Sequence, residues 1–499
     1  MPSIPVFVLI GLPWLNPVAT GPTPAVVPLL FSWACAALLV GVWGWGHDRS
    51  PAGRGMSATA WAWLVAGLVS SLIGLCQYFG GANHFSPWMN QTAIGEAFAN
   101  LRQRNQFATL TSISLAALLW LVVTPDRFAG RRRWLMLAIA GLLAAGNAAS
   151  SSRTGLLQLG LLLVLWGVWG GLRHVAVRPV LLVAVVTYVL AALVLPWLAG
   201  FDLVNHGMFA RLQTDGQLCA SRVTLWTNVL QLIAQKPWWG WGWGELDYAH
   251  YMTLYSSERF CDILDNAHNL PLHLAVELGI PVAALVCAGF LWALMRAKPW
   301  RETDPARQMA WGVLAVILLH SMLEYPLWYG PFQVAVGLCL VLLWRPSLGD
   351  AADSKVPPLL ACSARACLAA ALLVGTGYAA FDYHRISQIY LAPTYRSAAY
   401  REDTLNKIRG SWLFQNQVRF AELSTTALTR DNAQWTHATA AQLLHYSPEP
   451  RVIEKMIESA VMLGRDEEAM QHLMRYRAAF PQDYEKWRSL SGLGPLSPR

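Results

Sequence analysis

A chain of 499 residues that is 55% hydrophobic and only 13% charged, with a mean hydropathy of +0.36, carries too much apolar surface for a string of soluble domains and belongs in a bilayer. Its formal net charge of +8 falls in the connections between apolar runs, which argues against a nucleic-acid partner and for charge that orients membrane helices. Eight cysteines are too few for a disulfide scaffold, and no CxxC, Asp-x-Asp, paired Cys/His spacing or His/Glu cluster implies a metal; no cofactor is expected.

A helix needs about 20 predominantly apolar residues to cross the hydrocarbon core. Eleven runs qualify: 4–20, 24–46, 59–80, 105–124, 133–148, 154–172, 178–199, 270–294, 307–325, 328–346 and 364–382. Pro13 and Pro17 interrupt the first, which lacks a basic leader and is read as an uncleaved span. If the connections alternate between two sides, Arg49, Arg54, Arg127, Arg131 to Arg133, Arg173, Arg178, Arg296, Lys298, Arg301, Arg307, Arg345, Lys355 and Arg365 share one side, and only Arg102, Arg104 and Arg153 the other. That excess marks the cytoplasmic side. The expected fold class is therefore all-α, a polytopic membrane protein of about eleven transmembrane helices. Its N-terminus is cytoplasmic and its membrane domain runs over 1–383. The segment around 81–104, the long loop 200–269 and a helical tail domain over 384–499 face outward. Within the tail, Pro450 to Pro481 has apolar residues at helical spacing around Gly464-Arg465-Asp466, so it resembles a tetratricopeptide-like hairpin. A plain helical cap explains it equally well.

Ionisable residues within or beside apolar spans are functional candidates by default. Arg153 opens a span after Ser150-Ser151-Ser152, where its guanidinium faces the unfavourable end of a helix dipole unless an anion joins it. Arg222 lies in Ser221-Arg222-Val223-Thr224-Leu225-Trp226, ahead of an amphipathic helix and the turn Lys236-Pro237-Trp238-Trp239-Gly240-Trp241-Gly242-Trp243-Gly244. Two converging arginine forks suit a pyrophosphate; the alternative is an interfacial anchor or a carboxylate partner such as Asp215, Glu245 or Asp265. The aromatic-glycine turn reads either as an interfacial belt or as a platform for sugar rings. His268, in Asp265-Asn266-Ala267-His268-Asn269, stands where the long loop enters a span, and its side chain suits proton transfer near neutrality. His320 has Glu324 four residues on, where it could hold the ring's tautomer or form a structural pair.

His268-Asn269 followed by nine residues and Gly279 resembles an element of the O-antigen ligase superfamily, which holds WaaL ligases, Wzy-type polymerases and PglL-type O-oligosaccharyltransferases. Arg153 with Leu157, and Arg222 through Trp226, Pro237 and Gly240, resemble its preceding elements. Asn100-Leu101-Arg102-Gln103-Arg104-Asn105 and His320-Ser321-Met322-Leu323-Glu324-Tyr325-Pro326-Leu327-Trp328 are similar to stretches of the PglL branch, as is Leu12-Pro13-Trp14-Leu15-Asn16-Pro17. Where that branch often has a His and then a Glu near this opening, the chain has Val18-Ala19-Thr20 and no acidic residue through the second span.

The resemblance implies a metal-independent glycosyltransferase of the bacterial inner membrane whose active site faces the periplasm. It would move a preassembled glycan from undecaprenyl pyrophosphate to Ser or Thr of an exported, pilin-like protein. His268 would be the general base, and Arg153 and Arg222 would bind the pyrophosphate. Gln103, Arg104, His320, Glu324 and Tyr325 would be accessory. Cys219 and Cys261, together in a loop that would lie in an oxidising compartment, are candidates for a disulfide. The rival readings are transfer to lipid A-core, polymerisation of repeat units, or, in another class, a secondary transporter.

Overall fold

The computed structural model describes residues 4–42, 51–124, 130–202, 207, 218–344 and 358–491. Arg49, Arg127, Arg345, Lys355 and Asp215 lie outside the described residues, as do positions 203–206 and 208–217 of the long loop. Among the described residues there are helices and no strands. In chain order, α1 is Ile4–Leu15, α2 Val26–Val42, α3 Pro51–Tyr78, α4 Arg104–Val123, α5 Gly130–Ala149, α6 Arg153–Val168 and α7 Val177–Leu198. After them come α8 Arg222–Gln235, α9 Leu246–Met252, α10 Leu270–Leu278, α11 Ile280–Ala297, α12 Pro305–Ser321, α13 Gly330–Trp344 and α14 Pro358–Ser387. The tail supplies α15 Thr404–Ile408, α16 Gln415–Thr425, α17 Ala433–Leu444, α18 Pro450–Met462, α19 Asp466–Ala479 and α20 Pro481–Ser491. Five helical stretches among the described residues are long and apolar enough to cross a membrane: Gly55–Tyr78, Arg104–Val123, Val177–Leu198, Ile280–Arg301 and Cys362–Tyr390. The chain is a multi-pass helical membrane protein.

One expected span differs. The run 270–294 is two helices, because Gly279 takes φ +86 and ψ 159, which no helix contains, and α10 ends there. The first run is also shorter than its hydropathy: α1 stops at Leu15, and Asn16 Oδ1 accepts from Val18 N at 2.9 Å, a local turn that competes with the helix.

The chain divides into two compact units, 1–214 with 294–380 and 215–293 with 381–499. In the first, α4 is the central helix, packed by α3, α5, α6 and α12. Its sequence carries small and hydroxylated residues where neighbours come close. Ser114 Oγ lies 2.8 Å from Leu110 O and 2.7 Å from Trp63 O, which share its one proton, and Thr111 and Ser112 bond back to Ala108 O. These back-bonds satisfy hydroxyls that would otherwise be stranded in an apolar interior. Gln77, within an otherwise apolar span, bonds Asn90 O, Ala99 O, Phe98 N and Ala99 N at 2.7–3.1 Å, and so ties down the connection that leads into Gln103 and Arg104.

The second unit has two cores. One joins α8 to Leu246, Ala249, Phe260, Leu264, Ala267 and Val276, and the other is built by the tail helices around Tyr476. Tyr251 of α9 enters the tail core, where its hydroxyl lies 2.9 Å from His472 Nδ1. Arg475 Nε donates to Met252 O at 3.1 Å, and His445 Nδ1 lies 2.7 Å from Glu245 Oε2. These cross-links are why the loop groups with the tail, whereas the sequence division at 383/384 counts it with the membrane domain. In the tail, α18 and α19 form a helix–turn–helix whose turn contains Gly464 at φ +72, and Asp466 begins the second helix.

Candidate functional site

In the first unit a polar network runs through the apolar bundle. Arg153 is the first residue of α6, and Ser152 caps that helix by accepting from Gly155 N at 3.1 Å. The Ser152 hydroxyl donates to Asn105 Oδ1 at 2.6 Å, and Asn105 Nδ2 donates to Glu324 Oε1 at 3.0 Å. Asn105 thus joins the start of α6 to the end of α12. Thr109, one turn further along α4, donates to Asn105 O at 2.7 Å, accepts from Gln158 Nε2 at 2.8 Å and lies 2.9 Å from His320 Nδ1. With its single proton already given to Asn105, the Thr109 hydroxyl accepts from the ring, which places the His320 proton on Nδ1. Thr109, on another helix, thus supplies a hydrogen bond that sets this tautomer. Arg104 is ion-paired with Glu96. Tyr325 stacks on Tyr329 with ring centroids 5.9 Å apart. Thr109 and Gln158 were not singled out in the sequence, and Asn105 only as the last residue of the Asn100 to Asn105 stretch, although an amide or hydroxyl inside an apolar span is the signal that finds them.

In the second unit Arg222 repeats the arrangement of Arg153. It opens α8 behind a serine cap, with Ser221 Oγ accepting from Thr224 N at 3.1 Å. His268 sits in a turn fixed on both sides. Trp226 Nε1 of α8 donates to Ala267 O at 3.1 Å, Asn266 Oδ1 accepts from His268 N at 2.8 Å, and Asn269 Oδ1 caps α10 by accepting from Leu272 N at 3.1 Å. His268 itself has φ +51, a left-handed conformation that a non-glycine residue holds only when its surroundings dictate it. Asp265, exposed at the surface, lies close enough to His268 for the two charges to interact. Arg222, Trp226 and His268 are thus brought onto one scaffold; Arg153, Gln103, Arg104, His320, Glu324 and Tyr325 belong to the other unit.

The aromatic-glycine turn is mostly a backbone device. Trp241 N donates to Val276 O at 2.9 Å, Gly242 N to Glu277 O at 3.0 Å and Ile280 N to Pro237 O at 2.8 Å, so the turn is laced onto the α10–α11 break. Trp241 packs inward, with Nε1 on Leu232 O at 3.0 Å and Lys236 Nζ 4.0 Å from its ring. Trp238, Trp239 and Trp243 are exposed.

Cys219 and Cys261 are joined as a disulfide, with Cα atoms 5.3 Å apart and a sequence separation of 42. Closing a loop of that length is worth about 4 kcal/mol on a chain-entropy account. Two alkylatable thiols are expected at these positions only after reduction, together with a lower unfolding temperature; equal alkylation of the folded protein without reductant would contradict the bond.

Burial pushes the Asp247 carboxyl up to about 7, helped by the charges of Asp265 and Glu245. It holds His250 down at about 3 and His472 at about 4. A carboxyl with a raised folded pKa stabilises fully below its unfolded value near 4 and loses that contribution as pH rises through about 7. The histidines act oppositely, because their contribution is full above about 6.5 and is lost as pH falls. Asp247→Asn removes only the first effect. Its unfolding temperature relative to wild type is expected to climb between about pH 4 and 7, and a difference independent of pH would contradict this.

Three family models match the chain. One described as O-antigen ligase covers residues 138–287, one described as protein glycosylation ligase covers 97–122, and one described as the C-terminal part of a virulence factor membrane-bound polymerase covers 308–491. A general O-oligosaccharyltransferase of Acinetobacter baylyi is 25% identical over 325 residues, which are 62% of this chain and 55% of that protein. A ComP-specific O-oligosaccharyltransferase of the same organism is 26% identical over 283 residues, 56% of this chain and 50% of that protein. The chain spans about half the length of these curated relatives.

Proposed function

We propose, from the matches to the O-antigen ligase model over 138–287 and to the protein glycosylation ligase model over 97–122, that this chain is a PglL-type O-oligosaccharyltransferase. It moves a preassembled glycan from undecaprenyl pyrophosphate to a Ser or Thr hydroxyl of an exported, pilin-like protein. The reaction takes place on the periplasmic face of the bacterial inner membrane. The chain crosses that membrane eleven times, with its N-terminus in the cytoplasm and a tetratricopeptide-like tail outside. The observation that carries the reading is the His268 turn, whose backbone is held at φ +51 by the Trp226 bond to Ala267 O and the Asn266 bond to His268 N.

His268 takes the proton of the acceptor hydroxyl as its oxygen attacks the anomeric carbon. The bond from that carbon to the pyrophosphate oxygen breaks, and the departing charge is met by the guanidinium groups of Arg153 and Arg222. Each of these opens a serine-capped helix, so backbone N–H groups and the helix dipole add to each guanidinium. The donor carries its own leaving group, so no metal or nucleotide enters. In-line attack inverts the anomeric configuration.

The test is intact-protein mass of a periplasmic pilin-like acceptor in cells that supply a lipid-linked oligosaccharide, with and without this chain. A glycan-sized increase on Ser or Thr is expected. Glycan appearing on lipid A-core instead moves the assignment to that ligase activity. The match over 308–491 favours polymerisation as the second reading, and a ladder of glycan lengths on the lipid carrier, with unmodified protein, identifies it.

A further inference from the structure

A cavity of about 250 Å³ lies within the first unit, between the end of α1, the start of α2, the 100–106 segment and the start of α13. The rings of Pro13, Pro24, Pro28, Pro331 and Tyr329 form part of its wall. Beside these rings the wall carries the carboxamides of Asn16, Asn100, Gln103 and Gln106. Gln106 is 2% exposed and its Nε2 has no hydrogen-bond partner. A buried amide donor left unpaired costs about 1–3 kcal/mol, so the position asks for a ligand acceptor. The cation at the wall, Arg102, is already turned onto the Pro17 carbonyl at 2.7 Å.

Those features select among ligands. A phosphate or carboxylate would find a single guanidinium there, whose Nη2 is already bonded to a backbone carbonyl. A hydrocarbon chain would leave the Gln106 donor stranded. A neutral sugar ring meets both demands, because its hydroxyls accept from and donate to carboxamides while its C–H face lies on proline and tyrosine rings. The volume, roughly that of eight waters, is on the order of one such ring.

We infer that this cavity holds one neutral pyranose ring of the lipid-linked glycan, hydrogen-bonded by Gln106. The inference rests on the function proposed above. The test measures binding of two probes to the purified full chain in lipid nanodiscs: undecaprenyl pyrophosphate alone, and the same lipid carrying a preassembled neutral oligosaccharide. Gln106→Leu removes the donor at nearly constant volume, and Ala25→Phe fills the cavity from its wall. Both variants are expected to bind the glycan-bearing lipid about two- to tenfold more weakly, the range of one neutral hydrogen bond, and the bare lipid as wild type does. Gln106→Leu should also keep or raise the unfolding temperature of the ligand-free protein. An equal loss for both probes would assign the cavity to the lipid or its pyrophosphate and overturn the inference. No loss for either, or loss of the folded state in both variants, would make it a packing feature and overturn it as well. If wild type binds neither probe and transfers no glycan, the proposed function itself fails, an outcome distinct from a variant-specific null.

Discussion

Replacing His268 with alanine is expected to reduce glycan transfer by at least 10²- to 10⁴-fold, the usual contribution of a positioned general base, while membrane insertion and expression stay intact. The side chain is half-buried, so its removal opens no large void. Its backbone is the complication, because φ +51 is harder for alanine than for most polar residues. His268→Asn is the better companion variant: asparagine tolerates the left-handed region and keeps a polar side chain, but cannot take a proton near neutral pH. Both variants should fail in the acceptor-mass assay with unfolding temperatures near wild type. Near-normal transfer by either would remove His268 as the base, and loss of transfer only alongside loss of folding would reduce it to a structural residue.

A second large effect is expected at Gly279. Its φ and ψ lie in a region that only glycine occupies freely, and a β-carbon there would come within 2.6 Å of the Trp238 carbonyl carbon and 2.9 Å of Trp239 N. The same approach is seen from the other side, where a β-carbon on Gly240 would lie 2.7 Å from Gly279 N. Backbone meets backbone here, so no side chain can swing away to make room. Gly279→Ala should cost about 1–3 kcal/mol in strain alone, with the steric overlap in addition. It should also unlace the turn from Ile280 and Val276 and disturb the His268 segment that α10 carries. Gly289→Ala, with nothing within 4 Å of its β-carbon, is the matched control. A Gly279→Ala protein that melts and transfers like the Gly289→Ala protein would show that the close approach is not needed.

Much of the first unit was legible because a membrane span announces itself locally. The described helices α1 to α7 and α12 to α14 each fall on an apolar run that can be counted along the chain, whereas the run 270–294 is broken into α10 and α11. The residues with chemical potential were equally visible as charges or imidazoles at the edges of those runs. Partners were not. Spacing along the chain brings Glu324 to His320 but gives no sign of Thr109, 211 positions away in sequence, whose hydroxyl lies 2.9 Å from the ring's Nδ1. Gln106 reads as one more polar residue at the start of a span, and only the cavity it faces gives its amide a meaning.

By itself, then, the amino-acid sequence determined where the helices run and which side chains carry charge, protons and thiols, because hydropathy and residue chemistry are properties of neighbours along the chain. The tertiary structure alone decided that the long loop and the tail form one unit through Tyr251 and His472, and that Gly240 and Gly279 meet backbone to backbone. It also decided that His268 is held left-handed between Trp226 and the cap of α10. Each of these brings together groups far apart in sequence or sets a backbone angle, and neither leaves a period or a composition that can be read from the letters.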